Sequence, residues 1–230
     1  MLTQIPPHAP PYPGRSFQAC LFDMDGTLLT SIASAERVWS RWLSGFGLDP
    51  VEHLPRIHGM QTLETIRRLA LPNVDPQREA DWIAREELAD LDGVRPIGGA
   101  AEFVAGLPHH GWAIVTSATR RLAEARLEAA GLVAPPLFIT AEDIAVGKPG
   151  PDCYIEAARR LGVDVARCLV FEDAPAGIES GRAAGAAVVV ITETHAYPVE
   201  SAFPQILNYR NITARYHDGQ VTLEPLQHAG

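Results

Sequence analysis

The chain has 230 residues, of which 47% are hydrophobic and 20% are charged, and its formal net charge is −9. Such a composition is typical of a globular protein of one or two domains with a sizeable core. Nucleic acids and anionic membranes bind clustered positive charge, and no block of Lys or Arg occurs, so both are excluded as expected partners.

Residues 1–15 are rich in proline and predict a stiff, extended leader without a core-forming face. They lack the basic start and apolar centre of a signal peptide. No apolar run reaches the roughly 20 residues of a membrane span. The three cysteines, Cys20, Cys153 and Cys168, have no paired spacing and predict buried thiols in a reducing compartment. We therefore expect a cytoplasmic protein, as a monomer or a weak dimer.

The first predicted element is a short apolar strand over residues 17–22, which ends directly at Asp23 and Asp25. Residues 31–94 then contain only helical patterns. The stretch SAERVWSRWLSGFG places its apolar residues on one face, and PQREADWIAREELADL starts at a proline and is followed by Gly93. These patterns predict a helical insert over residues 31–94, which would form a second domain or lid.

From Pro96 onward, short apolar strands alternate with amphipathic helices. We predict strands over 111–119, 136–140, 167–173 and 186–192, and helices over 99–107, 120–132, 151–162 and 175–185. This alternation predicts an α/β fold with a doubly wound parallel sheet, covered by helices on both faces. A hairpin over 212–225 is predicted to turn at Asp218-Gly219. The α/β core would comprise residues 16–30 and 95–230.

Polar side chains that can take part in catalysis or in binding follow several predicted strands. They are Asp23, Asp25, Thr116, Ser117, Lys148, Glu172 and Asp173. In an extended segment residues i and i+2 face the same way, so the first two carboxylates converge. Since the carboxyl ends of parallel strands line the ligand crevice, we expect the whole set to meet at one edge of the sheet.

Taken singly, each of these groups has an ordinary interpretation as a helix cap or a solvated charge. Together they can form a phosphoryl-transfer site. Carboxylates from Asp23 and from Glu172, Asp173 or both are hard oxygen ligands suited to Mg²⁺. A hydroxyl, backbone amides and Lys148 can hold a phosphate. One aspartate is then available as a nucleophile and the other as an acid/base.

Four ordered motifs, DMDGT, VTSA, GKPGPD and FEDAPAGIESGRAAG, resemble the haloacid dehalogenase superfamily over residues 17–191. The chain is similar to its phosphatase branch, in which a helical cap is inserted after the first strand of a Rossmann-like core. Within that branch it resembles sugar phosphatases of the 2-deoxyglucose-6-phosphatase type, relatives of β-phosphoglucomutase. The resemblance implies a Mg²⁺-dependent phosphatase that hydrolyses small sugar or sugar-alcohol phosphates.

The resemblance also implies roles for individual residues. Asp23 would attack phosphorus and form an aspartyl-phosphate. Asp25 would protonate the leaving oxygen and then deprotonate the hydrolytic water. Mg²⁺ would be held by Asp23, Asp173 and the backbone carbonyl of Asp25, with Glu172 binding directly or through water.

The phosphoryl group would contact the second and third motifs, through Thr116, Ser117, Ala118 and Lys148. Which of the two hydroxyl groups, that of Thr116 or that of Ser117, makes the contact stays open. The cap residues expected to face the sugar are Glu36, His58, Gly59, Gln61 and Thr62. Polar, neutral-to-acidic groups there suit a hydroxyl-rich substrate. The segment Pro96-Ile97-Gly98-Gly99 is the expected return hinge.

Two other functions remain open at this point. A β-phosphoglucomutase-like mutase would use the same aspartates and return the phosphoryl group to a sugar, but the HGMQT loop lacks the arginine expected beside its glycine. An inactive phospho-ligand binding protein is the alternative of a different class, although every motif position is intact. A signalling receiver domain would lack both the helical insert and the DMDGT motif.

Overall fold

The structure is a computed structural model that describes residues 10–135, 137–196 and 201–226. Its strands are β1 Ser16–Phe17, β2 Ala19–Phe22, β3 Leu29–Thr30, β4 Arg95–Pro96, β5 Trp112–Val115, β6 Phe138–Ile139, β7 Cys168–Glu172, β8 Ala187–Ile191, β9 Gln205–Ile206, β10 Ile212–His217 and β11 Gln220–Pro225. Its helices are α1 Ile32–Gly45, α2 Pro50–His53, α3 Thr62–Leu69, α4 Pro76–Ala89, α5 Ala100–Ala105, α6 Arg120–Ala129, α7 Asp152–Leu161 and α8 Pro175–Ala183, with 3₁₀ turns at Leu54–Arg56, Ala141–Asp143 and Val165–Arg167.

A parallel sheet with the strand order β6-β5-β2-β7-β8-β9 forms the centre of the core. Every residue of β2, β5, β7 and β8 is buried, as expected for strands covered on both faces. The predicted α/β class is confirmed. The strands are shorter than predicted: β5 ends before Thr116, β7 ends at Glu172, and β2 begins at Ala19.

The register between β2 and β7 is held by aromatic packing. Phe22 lies opposite Phe171, and their rings stack with centroids 4.7 Å apart. Phe103 and Tyr209 pack on the Phe171 ring at 5.6 and 5.7 Å. The backbone N–H of Asp23 then donates to the carbonyl of Phe171 at 3.0 Å. This core therefore aligns the two strand ends that carry the acidic residues.

Residues 31–94 are helical, as predicted, and they build an apolar cluster of their own around Val38, Trp39, Trp42 and Ile83. The chain enters and leaves this insert through β3 and β4, which pair antiparallel. The side chain of Asp75 caps α4 by accepting from the N–H groups of two residues in its first turn. No helix in the described part of the chain is long and apolar enough to cross a membrane.

A second, antiparallel sheet has the order β1-β11-β10. The predicted hairpin is confirmed, and Asp218 and Gly219 both have positive φ, at 50° and 75°, as a type I′ turn requires. The strand predicted over residues 17–22 is divided between the two sheets. It breaks at Gln18, whose N–H donates to the carbonyl of Arg167 instead of to a strand.

The leader behaves differently from the prediction where it is described, while residues 1–9 lie outside the described residues. Pro10 and Pro11 are buried, and Tyr12 packs edge-on against Phe17. The Tyr12 hydroxyl donates to the carbonyl of Val188 at 2.9 Å and accepts from its N–H at 3.3 Å. Among the described residues, β9 pairs with β8 at the last two residues of β8 only, so the earlier part of this edge needs another partner. The expected absence of a core-forming face was therefore wrong for residues 10–12.

Candidate active site

The carboxyl ends of β5, β2 and β7 lie side by side, and they open into a cavity of about 270 Å³ between the core and the helical insert. The core residues Asp23, Asp25, Thr116, Ser117 and Asp173 line this cavity. The predicted convergence of the strand ends is therefore what the fold produces.

Lys148 lies in the middle of the acidic groups and is 1% exposed. Its Nζ donates to Oδ1 of Asp23 and to Oε1 of Glu172, both at 2.6 Å, and to the carbonyl of Val115 at 3.1 Å. Burial lowers the pKa of Lys148, but the carboxylates of Asp23 and Glu172 more than offset it, so the pKa rises well above its usual value. The ammonium group is thus a fixed positive charge beneath the carboxylates.

Both carboxylate oxygens of Glu172 are engaged by the protein. Oε1 accepts from Lys148 and, at 3.0 Å, from the hydroxyl of Tyr154. Oε2 accepts from the backbone N–H groups of Asp173 and Ala174 at 3.0 and 3.2 Å. A Cβ added at Gly177 would lie 1.6 Å from Oε1, so only glycine leaves room for this side chain. Any metal contact of Glu172 would come in addition to these bonds.

Asp23, Glu172 and Asp173 form the one cluster of metal-ligating groups among the described residues, with ligand oxygens within 4.8 Å of one another. Burial and the Glu172 carboxylate raise the pKa of Asp23 to about 7, against the opposing effect of Lys148. Burial and the charge of Asp23 likewise raise the pKa of Asp173 well above its usual value. Three buried carboxylates facing one ammonium lack positive charge, and this donor set fits a hard divalent cation.

Gly26 of the DMDGT motif keeps the cluster compact. Its φ is +95°, and a Cβ at this position would lie 2.0 Å from Oδ2 of Asp173. The neighbouring hydroxyl of Thr27 donates to Oδ1 of Asp173 at 3.3 Å. The glycine is thus required by both its backbone conformation and the close approach of the third strand end.

The side chain of Asp25 is not part of this cluster, although it lines the same cavity. Its Oδ1 accepts from the hydroxyl of Ser31 at 2.5 Å and from Nη1 of Arg126 at 3.1 Å. Arg126 in turn faces Glu87 of the insert, with Nη2 and Oε1 separated by 3.4 Å. The two aspartates of the motif therefore have different surroundings, one beside Lys148 and the other beside an arginine.

The two hydroxyl groups that follow β5 have different hydrogen-bond partners. Thr116 Oγ1 accepts from the N–H of Ala118 at 3.1 Å. Ser117 Oγ donates to the carbonyl of Gly59, in the insert, at 2.9 Å. All three of the residues from 116 to 118 line the cavity.

The predicted insert residues face the same cavity, whose lining includes Glu36, His58, Gly59, Gln61 and Thr62. His58 Nε2 lies 3.2 Å from Oε1 of Glu36. A Cβ added at Gly59 would lie 2.8 Å from Cβ of Ala174, so the insert approaches the core closely at this point. The structure therefore brings all of these residues to the core site.

The part of the chain that forms this site also matches a family of known proteins. A family model described as haloacid dehalogenase-like hydrolase matches residues 17–185. The chain belongs to this hydrolase family. The match covers β2, β5, β7 and the complete helical insert, so all of the cavity-lining residues named above lie within it.

Several named phosphatases are similar to this chain. Hexitol phosphatase A of Escherichia coli is 41% identical over 175 residues, covering 74% of this chain and 81% of that protein. 2-Deoxyglucose-6-phosphate phosphatase 1 of Saccharomyces cerevisiae is 35% identical, covering 78% and 82%. The crystal structure of β-phosphoglucomutase from Clostridium difficile superposes with a TM-score of 0.68 at 17% identity, covering 76% and 84%, which shows a shared fold.

Sequence reasoning missed the partners that orient these groups, namely Ser31, Glu87, Arg126 and Tyr154. One signal was available for Arg126. It lies on the apolar face of α6 together with Leu122, Ala123 and Leu127, all of which are buried. A charged residue within an apolar helical stripe indicates a specific partner, because a lone buried charge is costly.

Proposed function

We propose that this protein is a Mg²⁺-dependent phosphatase that hydrolyses small sugar or sugar-alcohol monophosphates through an aspartyl-phosphate intermediate. The observation that carries the proposal is that the two motif aspartates line one cavity but have different partners. Asp23 is buried against Lys148, whereas Asp25 is held on the side of the cavity that faces the insert. The names of the similar phosphatases support the same reaction class and substrate class.

In the first step a carboxylate oxygen of Asp23 attacks phosphorus, and the bond from phosphorus to the sugar oxygen breaks. The leaving oxygen takes a proton from Asp25. In the second step a water oxygen attacks the same phosphorus and gives a proton to Asp25. The bond between phosphorus and Asp23 then breaks, which releases inorganic phosphate and restores both aspartates.

Asp23, Asp173 and the backbone carbonyl of Asp25 would hold Mg²⁺, with Glu172 assisting directly or through water. The bound ion would supply the positive charge that neutralises the phosphoryl oxygens. Lys148 and a hydroxyl of Thr116 or Ser117, with the N–H of Ala118, would bind those oxygens and keep the phosphoryl group in line with Asp23.

The negative charge of the cavity lining favours a substrate whose leaving group is uncharged. Glu36 and Asp81 of the insert and Glu142 of the core line the cavity, and among the described lining residues the one arginine, Arg126, already faces two carboxylates. Hydroxyl groups can donate to these carboxylates, whereas a second phosphate would be repelled by them. This supports polyhydroxylated monophosphates as the substrate class.

The helical insert, residues 31–94, would act as a cap on the core formed by 16–30 and 95–230. The paired strands β3 and β4 carry both chain crossings, so they would form the hinge together with residues 96–99. Closure would exclude bulk water and present the leaving-group residues. A cytoplasmic location is part of the proposal, since all three cysteines are buried free thiols.

The test is phosphate release from a panel of hexose, hexitol, pentose and glycerol phosphates, with and without Mg²⁺. We expect turnover that disappears with EDTA and with Asp23→Asn. Turnover that survives either change would contradict the mechanism. Product analysis with a hexose 1-phosphate separates the phosphatase from a mutase, because a mutase would yield the isomeric sugar phosphate.

A further inference from the structure

Arg126 is a buried arginine between the core and the helical insert. It is 4% exposed, and it extends from α6 in the core toward Asp25 on one side and Glu87 on the other. Glu87 belongs to α4 of the insert and is 6% exposed. The guanidinium group thus joins the proposed acid/base to the insert.

The hydrogen bonds that hold the Asp25 carboxylate are accepted by one of its two oxygens. Oδ1 accepts from both Ser31 and Arg126, at 2.5 and 3.1 Å. Among the described residues, both side-chain hydrogen bonds to the Asp25 carboxylate are made to Oδ1, and none is made to Oδ2. Two donors therefore orient the carboxyl group, and Oδ2 is left to exchange a proton with the substrate.

The arginine is not a fully satisfied structural ion pair. Its Nε and Nη2 atoms are buried and have no hydrogen-bond partner among the described residues, although Nη2 lies 3.4 Å from Glu87. Burying an incompletely bonded guanidinium is a poor means of stabilising a fold. The arrangement is better explained by what it does to Asp25.

We propose that Arg126 is a positioning residue that orients Asp25 for proton transfer, and that Glu87 completes it only when the helical insert rests on the core. This inference rests on the proposed phosphatase function and adds the link between the insert and the acid/base. If the insert moves away, Arg126 loses its second carboxylate, and Asp25 loses a fixed donor. Proton transfer is thereby confined to the closed, water-poor site.

The experiment separates the two chemical steps by the choice of leaving group. A sugar alkoxide needs a proton from Asp25 to leave, whereas p-nitrophenolate leaves without one. Hydrolysis of the aspartyl-phosphate needs Asp25 as a base with either substrate. A variant that misplaces Asp25 should therefore still release a burst of p-nitrophenolate, about one per active site, and then turn over slowly.

The variants are Arg126→Met, Arg126→Lys and Glu87→Gln, with Arg121→Met as the control, because Arg121 is an exposed arginine on the same helix. For the best sugar phosphate we expect kcat to fall by about 100-fold in Arg126→Met, with a much smaller change in KM. Arg126→Lys and Glu87→Gln should show intermediate losses, and the control should match the unaltered protein. Asp25→Asn provides the reference pattern of burst and slow turnover.

Thermal unfolding of each variant detects a loss of folding, and the double variant Arg126→Met/Glu87→Gln removes both charges together if the single change does not fold. Loss of the burst and of turnover to the same degree in a folded variant would overturn the inference, as would unchanged sugar phosphate turnover. The proposed function itself fails separately, if the unaltered protein releases no phosphate or Asp23→Asn remains active.

Discussion

Nζ of Lys148 lies 2.6 Å from Oδ1 of Asp23, in a site where both side chains are almost fully buried. The same Nζ is equally close to Glu172, so one ammonium group joins two strand ends. This chain contains a single lysine, Lys148, although it has 19 Lys and Arg residues in total. The positive charge of the proposed phosphate site can therefore be observed without interference from other lysines.

Labelling the protein with ¹⁵N-lysine should give one side-chain NMR signal, which reports the protonation of Lys148. Its pKa is raised in the folded state, so the ammonium form persists as the pH rises through the ordinary lysine value. The stabilisation from this ion pair is complete below that value and is lost only above the folded pKa. In metal-free protein, deprotonation below pH 10 would contradict the predicted direction.

Asp173→Asn should abolish the effect of Mg²⁺ on thermal stability. A ligand that binds the folded state raises its stability by about 2.7 kcal/mol at 100 times its Kd. The variant removes one of the three clustered carboxylates, so it should lose this increment. Because it also relieves repulsion, its metal-free Tm should equal or exceed that of the unaltered protein. Asp218→Asn, at an exposed turn, is the control and should keep the Mg²⁺ response.

Gly26→Ala should be more damaging than a comparable change elsewhere. The new Cβ would meet Asp173 at 2.0 Å, in addition to the strain of a φ of +95°. Gly93 has a φ of +83° and open space around its Cβ position, so Gly93→Ala reports the strain alone. We expect the control to cost about 1 kcal/mol in unfolding free energy, and Gly26→Ala to cost more and to weaken Mg²⁺ binding. Equal losses of stability would show that the close approach is unimportant.

The acidic lining predicts discrimination against substrates with a second phosphate. We expect kcat/KM for fructose 1,6-bisphosphate to be about 100-fold or more below that for fructose 1-phosphate, because two like charges 4 Å apart repel by about 4 kcal/mol at the protein surface. Glu36→Gln removes one negative charge from the cavity lining and should reduce the difference in kcat/KM between the two substrates. Glu128→Gln, exposed on the outside of α6, should leave it unchanged. Equal rates for both substrates would contradict this account of specificity.

Much of the core could be predicted because its signals are local. Short, continuous apolar runs marked β2, β5, β7 and β8, and glycine after aspartate marked the hairpin turn at residues 218–219. The ends of parallel strands meet by topology, so the convergence of Asp23 with Asp173 followed from the order of the strands. The division of the strand predicted over 17–22 did not follow, since an apolar run does not specify which sheet each residue joins.

Local sequence signals specify the alternating α/β pattern, the helical insert and the residue types at the strand ends, because these depend on neighbours within a few positions. The packing of distant elements selects which oxygen of Asp25 is held, which groups contact both oxygens of Glu172, and how Tyr12 covers the edge of β8. Arg126 and Asp25 are 101 residues apart in the chain. Contacts over such distances arise when separate elements pack together, and the requirement that each buried polar group find a partner then selects them.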